Sequence, residues 1–273
     1  MRDPIQCFRW TSYLYGNKFP LSVQAYFVDG LLIDTGPGKL QAQVLESLRI
    51  LAIEQIFLTH HHEDHTGNLA VIHQAHPNVP MYAHPTCADI LKNPPKVSFA
   101  EYLTWGKHTA VEGIQPVGAT ISTFKYEFTP IYTPGHAVDH LALYEPKEGW
   151  LFSGDIYVHP YITYFVANEC MATQMASLKK LIALDFDRLL CGHSRGQLHG
   201  KKLLQQKLQF FQTFSGKVLH WHQQGYTPKQ IMRKMQLKER WMIKLLSGGW
   251  LSTLNMVKSV LRAERLGLWD QQH

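Results

Sequence analysis

Cysteine is scarce in this 273-residue chain, and its four copies, Cys7, Cys87, Cys170 and Cys191, form no CxxC pair. A disulfide framework is therefore not expected, and a reducing cytoplasm suits such a sequence best. The first ten residues contain no apolar segment of signal-peptide length, and no later stretch reaches the ~18 uninterrupted apolar residues of a membrane span. Low-complexity tracts and internal repeats are missing as well. Charged residues are only 18% of the chain against 45% hydrophobic and 12% aromatic, which excludes wholesale disorder and leaves apolar material for a large core.

Acidic residues thin out sharply toward the end. Residues 195–273 hold 3 Asp and Glu against 14 Lys and Arg, a net +11, whereas residues 1–194 hold 18 against 13, a net −5. The overall +6 thus belongs wholly to the last third. Such a block draws anionic partners: RNA, DNA, an acidic small-molecule substrate or anionic lipid. It equally fits a solvated helical face whose Lys and Arg stems lie over apolar neighbours.

Hydrophobic patterning predicts strands interspersed with helices. Residues 22–28 and 31–33 read as strands joined by Asp29-Gly30, a favoured hairpin dipeptide, and the second runs into the breaker-rich Asp34-Thr35-Gly36-Pro37-Gly38. Leu40, Val44, Leu45 and Leu48 predict an amphipathic helix over 39–50. A buried strand over 53–58, a helix over 67–74 and a strand over 81–83 follow, while residues 93–115 have no clear period and read as a loop or short helices capping a site. Further strands are expected near 120–128, 131–132, 141–144, 150–152 and 188–191, with a helix near 171–184. From about residue 196 an α-helical domain is expected, with residues 1–195 as the first domain. In it Leu203, Leu204, Leu208, Phe211, Val218 and Leu219 form a stripe, and Thr227-Pro228 starts a new helix as N-cap and first residue. Helical spacing continues from Trp241 through Trp250 to Leu261 around Gly248-Gly249, and the apolar residues near Trp250 and Leu254 suit either a dimer contact or the tail's own core.

What the chain does have is Thr59-His60-His61-His62-Glu63-Asp64-His65-Thr66-Gly67, directly after the apolar run that ends at Leu58. Imidazole and carboxylate bind a borderline cation such as Zn²⁺ without redox chemistry, so alternating them at a strand end supplies several ligands from one loop. Four further pieces appear in order: Asp34 in Ile-Asp-Thr-Gly, His136 in Thr-Pro-Gly-His, Asp155 in Phe-Ser-Gly-Asp, and His193 in Leu-Cys-Gly-His. Each follows a short apolar run. His61 and Glu63 would point away from His60 and His62 if the segment stays extended.

This ordered set resembles the metallo-β-lactamase superfamily, whose pattern is an early Asp, then HxHxDH, then His, Asp and His, and the resemblance spans about residues 22–195. It implies an α/β, four-layer αββα metallo-β-lactamase fold, here with a C-terminal α-helical extension. It also implies two divalent metal ions, Zn before Fe or Mn: His60, His62 and His136 on the first, Asp64, His65 and His193 on the second, and Asp155 bridging both. A hydroxide between the metals would be the nucleophile, with Asp64 orienting it or carrying a proton. Asp34 resembles the family's structural aspartate, which hydrogen-bonds the motif loop. His140 fits a partner of a ligand, and Tyr157, His159, Tyr161 and Tyr164 lie where the family often places substrate-contacting groups.

Within the superfamily, His60-His61-His62 beneath Thr59 looks like glyoxalase II, a thioester hydrolase, although no glutathione-binding set can be aligned in the tail. The short interval from His136 to Asp155 and the basic tail look more like the β-lactamase-like hydrolases that include single-strand endoribonucleases. A true β-lactamase is not expected without a secretion signal, nor a flavodiiron oxygen reductase, in which Glu stands at the place of His62. A binuclear hydrolase of esters, thioesters or lactones is the leading expectation. A nuclease and a mononuclear iron persulfide dioxygenase are the alternatives.

Overall fold

The computed structural model describes residues 3–14, 19–194, 196 and 198–269. Two sheets face each other. The first runs through β1 (Gln6–Leu14), β2 (Phe19–Val28), β3 (Leu31–Ile33), β4 (Gln55–Phe57), β5 (Met81–Ala83) and β6 (Ile114–Pro116), in that spatial order. β1, β2 and β3 are antiparallel neighbours, and β3 to β6 are parallel, joined by helices. Those helices are α1 (Gln41–Leu48), α2 (Glu63–Thr66), α3 (Leu69–Ala75), α4 (Pro85–Lys92) and α5 (Phe99–Trp105). The second sheet contains β7 (Ile121–Ser122), β8 (Glu127–Tyr132), β9 (Leu141–Glu145), β10 (Trp150–Gly154) and, after the short β11 (Phe165–Val166) and α6 (Met171–Ile182), β12 (Arg188–Cys191). Its order is β12-β10-β9-β8-β7, with β12 parallel to β10 and the rest antiparallel.

The two-residue period of a strand assigns each side chain to a layer. Tyr26, Val28, Leu31, Ile33 and Phe57 from the first sheet meet Phe128, Leu141, Leu143, Phe152 and Leu190 from the second. Their neighbours Ala25, Phe27, Leu32 and Ile56 point the other way, into Val44, Leu48, Leu69 and Ile72 of α1 and α3. On the far side, Ala142, Leu151, Leu189 and Cys191 meet α6. Strands buried on both faces read as continuous apolar runs, which is why β3, β4 and β10 are visible in the sequence. The result is four layers, helix, sheet, sheet, helix.

The chain then continues as α7 (Gly200–Gln223), α8 (Pro228–Lys234), α9 (Trp241–Leu246), β13 (Leu251–Ser252) and α10 (Thr253–Arg265). Leu204, Phe211 and Val218 of α7 and Val257 and Val260 of α10 share one apolar cluster with α6 and the second sheet. The expected boundary between the two domains falls at Arg195, which lies outside the described residues. Thr227 caps α8 as expected, in a capping box with Gln230.

One expectation about the elements needs correction. Helical spacing does not run through Trp250: Gly248 (φ 60°) and Gly249 (φ 86°) take left-handed backbone, end α9 and turn the chain so that Leu251 and Ser252 pair with Val166 and Phe165. The edge strand β1, nine residues paired along their whole length with β2, is an element the sequence pattern does not announce. Among the described residues no helix is long and apolar enough to cross a membrane.

Candidate metal centre

Strand ends from both sheets meet at one edge of the sandwich. Asp34 follows β3, and His60, His62, Asp64 and His65 follow β4; His136 follows β8, Asp155 follows β10, and His193 follows β12. The segment is extended only as far as His62, because α2 begins at Glu63. Glu63 is consequently buried rather than turned outward, 3.8 Å from His108, and burial followed by the charges of Asp64 and Glu101 pushes its carboxyl up to about 8. His61 does turn away: its backbone N–H and Nδ1 meet the buried Asp139 carboxylate at 2.8 Å each.

Hydrogen bonds decide which ring nitrogen each histidine offers. The Asp34 carboxylate accepts from the Thr59 N–H at 2.8 Å and the Thr59 hydroxyl at 2.8 Å, and His65 Nδ1 lies 2.7 Å from its Oδ2. The Thr59 hydroxyl, having donated to Asp34, accepts from His60 Nδ1 at 3.0 Å. His193 Nδ1 donates to the Ser22 carbonyl at 2.7 Å. His60, His65 and His193 are each left with Nε2 facing the centre, the arrangement that orients imidazole for a metal once that nitrogen is deprotonated. Asp34 holds this position at φ 62°, a left-handed conformation that Asp tolerates better than most residues. Its contacts with Thr59 and His65 favour that geometry.

The free nitrogens then crowd together. His60 Nε2 is 2.9 Å and His136 Nε2 3.1 Å from His62 Nδ1. Asp155 stands between this group and the other: its Oδ2 is 2.9 Å from His193 Nε2 and 3.7 Å from His136 Nε2, and its Oδ1 is 3.4 Å from His65 Nε2. Asp64 Oδ2 is 3.3 Å from His193 Nε2. Buried, and without a hydrogen-bond partner among the described residues, are His65 Nε2 and Asp155 Oδ1. Converging lone pairs and orphaned polar atoms of this kind fit a bound cation.

Electrostatics divides the site. Burial and neighbouring imidazoles hold His60 and His62 well below the usual histidine range, so both rings are neutral and their lone pairs free. Burial opposes charge on His65 and His193 too, but the surrounding carboxylates outweigh it and raise both. In the same way burial would raise Asp64, yet His65 and His193 bring it to about 2 and hold Asp155 well below the carboxylate range.

The remaining sequence candidates separate. His140 is buried, contacts Thr133 Oγ1 through Nδ1 at 2.8 Å, and accepts the Asp155 N–H at Nε2 at 3.0 Å, so it positions the Asp155 backbone. A Cβ at Gly154 would lie 2.6 Å from that Nε2, and one at Gly192 would lie 2.4 Å from Asp155 Oδ1. His159, Tyr161 and Tyr164 line a cavity of about 540 Å³ over the donors. Tyr157 does not; it is buried in the cluster beneath the second sheet, where burial pushes its hydroxyl up to about 12.

Sequence reasoning missed three buried polar groups. Asp139 sits between two flagged histidines in His136-Ala-Val-Asp139-His140, the one signal on offer. Glu169 has Oε2 3.7 Å from His136 Nδ1 and accepts from Gln174 at 2.6 Å. Lys207 of α7 is buried, donates to the Ile156 carbonyl at 2.6 Å and lines the cavity. Nothing in the sequence separates it from the other tail cations. Some of those are engaged elsewhere: Lys234 over Trp221 and Tyr226, Lys244 with Glu239, and Arg262 with backbone carbonyls of residues 167–169.

Comparison with known proteins gives a consistent picture. The sequence model described as "Metallo-beta-lactamase superfamily" matches residues 19–193. Thioesterase pkgB from Emericella nidulans is 30% identical over 161 residues, 56% of this chain and 39% of that protein. A hydroxyacylglutathione hydrolase from Bdellovibrio bacteriovorus is 32% identical over 125 residues, 45% of this chain and 40% of that protein. The matched part spans about half or less of the curated relatives' length. Among solved structures, a metallo-beta-lactamase family protein from Thermus thermophilus superposes with a TM-score of 0.66 at 17% identity, covering 96% of this chain and 94% of that one.

Proposed function

Because this chain belongs to the metallo-β-lactamase superfamily, we propose that it is a metal-dependent hydrolase that cleaves an ester, thioester or lactone at a pair of divalent cations. The observation that carries the reading is the convergence of seven side chains into three overlapping donor groups, His60/His62/His136, His60/His65/Asp155 and Asp64/His65/His193, with the ligand atoms of each group within 4.8 Å of one another. His60, His62 and His136 would hold one cation, Asp64, His65 and His193 the other, and Asp155, between the groups, would touch both. When bound, such cations make water acidic enough to supply hydroxide at neutral pH and polarise a carbonyl oxygen. Their oxygen and nitrogen donors suit Zn first and Fe or Mn as well.

The chain's own residues do the rest. Asp64, ionised near neutrality, orients the attacking water or takes its proton. Asp34, Thr59 and Ser22 fix the tautomers of His65, His60 and His193, and His140 fixes the Asp155 backbone. Water oxygen bonds to the acyl carbon and the C–O or C–S bond breaks. Its electron pair leaves on oxygen or sulfur, which takes the proton, giving a carboxylic acid and an alcohol or thiol. The names of the relatives, a thioesterase and a hydroxyacylglutathione hydrolase, support this bond class.

Elemental analysis of the purified protein, run beside a panel of thioester, lactone and phosphodiester substrates, tests the reading. Two metals per chain with carboxylic-ester or thioester turnover are expected. One iron per chain would sink it in favour of a persulfide dioxygenase, and turnover of phosphodiesters alone would favour a nuclease.

A further inference from the structure

A second cavity of about 420 Å³ lies between α5 and α9. Leu21, Glu101, Trp105, Tyr164 and Leu251 line both it and the cavity over the metal donors. Each volume is within the roughly 300–1,000 Å³ of small-molecule sites. The two walls of the second cavity are hung on the fold from behind. The Ser12 hydroxyl donates to the Thr104 carbonyl at 2.5 Å, and Lys39 Nζ donates to the Leu103 carbonyl, which together fasten α5. Glu239 fastens the start of α9, accepting from Ser252 Oγ and the Thr253 N–H at 2.8 Å each and from Lys244 Nζ at 3.1 Å.

Those bonds have a second effect. Glu239 is engaged by Ser252, Thr253 and Lys244, and Glu101 accepts from the Ser98 N–H at 2.7 Å within its capping box. Both acidic residues of the lining are thus occupied at the helix ends, and the surface between the helices is mostly that of Trp105, Trp241, Met242, Ile243 and Leu246, with the exposed Arg240 the remaining charged side chain of the lining. No residue of α9 is buried, and Trp241 and Met242 are exposed. An apolar surface of this kind, adjoining a reaction site, gains hydrophobic free energy when an apolar ligand covers it.

From this arrangement we infer that the substrate is an ester or thioester carrying a long apolar chain, whose scissile carbonyl faces the metal donors while the chain passes Trp105 and Tyr164 and lies between α5 and α9. This rests on the hydrolase reading above. The occupant is the apolar arm of the substrate rather than a partner protein, because the second cavity shares its lining with the first and Leu245, the most exposed apolar residue of α9 at 81%, is outside the lining.

The experiment uses the metal-loaded full chain and two homologous series of thioesters and esters, one lengthening the acyl half and the other the alcohol or thiol half from about two to about twelve carbons. In one series kcat/KM is expected to rise roughly fourfold per added methylene until the cavity is filled. Met242→Glu, with Trp241→Glu as the second variant, is expected to flatten that slope, and Leu245→Glu to leave it unchanged. Turnover with no dependence on length in either series overturns the proposal while leaving the hydrolase reading intact. A slope sensitive to Leu245→Glu and not to Met242→Glu, or a dimer that Leu245→Glu dissociates while the slope is flat, assigns the face to another protein copy and also overturns it. If neither series is turned over, the hydrolase reading fails, and calorimetric binding decides the cavity separately. Dodecanoate or dodecanol binding at least about tenfold tighter than the two-carbon analogue supports an apolar site, and equal binding refutes it.

Discussion

Asp155 and Trp241 line neighbouring cavities under opposite conditions. Asp155 is 5% exposed, its backbone is held by His140 and its carboxylate lies against three histidines. Trp241 is 71% exposed, on a six-residue helix with no buried side chain. The floor of the site is thus set by strand ends and hydrogen bonds that the whole sandwich depends on. Its walls are short helices joined to the fold at a few points. Chemistry carried by the first kind of surface depends on groups whose positions the whole sandwich fixes, whereas selection among substrates can be altered on the second kind at little structural cost.

The sharpest way to break this division is on the floor. Asp155→Ala or His136→Ala is expected to cut turnover of every substrate by roughly a thousandfold or more and to lower metal content, with the circular dichroism spectrum unchanged. Full activity in either variant would refute the ligand assignment. A smaller effect asks whether Lys207, though it comes from the basic tail, behaves as part of the floor. Burial brings its amine from 10.5 down to about 8. The folded protein therefore favours the neutral amine, so the associated stability is complete above pH 10.5 and is lost as pH falls through about 8. Chelator-treated wild type should gain about 3 kcal/mol over Lys207→Met between those limits in urea unfolding. Parallel profiles would place Lys207 with the solvated wall. The smallest effect concerns support rather than ligation: Asp34→Asn keeps the backbone tolerance for φ 62° and loses the charge facing His65. Chelator competition should show metal affinity falling roughly 10- to 100-fold. Unchanged affinity would mean that Asp34 does not orient His65.

The donors are legible in the sequence for a physical reason. Most sit just after a strand that is apolar, and a strand buried on both faces, as β3, β4 and β10 are, announces itself as an apolar run. The groups that tune those donors are not. Asp139, Glu169 and Lys207 act through contacts whose partners are distant in the chain, such as Lys207 with Ile156, and no local period marks such a pairing. Tyr157 shows the same limit from the other side. It stands in one short segment with Tyr161 and Tyr164, but only the tertiary path of that segment decides which rings face the cavity. The break at Gly248-Gly249 escapes a pattern reading because helical spacing of apolar residues on both sides hides a reversal that two left-handed residues create.

The contact between His193 Nδ1 and the Ser22 carbonyl joins residues 171 positions apart and is reinforced by Gln24, which bonds both the Gly192 and Ser194 carbonyls. Closing a loop of that length costs more chain entropy than closing the short one from His60 to His65. Of the seven donors, only His60, His62, Asp64 and His65 are close together in the chain before it folds. The far half of the metal's cage arrives with the second sheet, so retention of metal during refolding would serve as a clock for the closing of the sandwich.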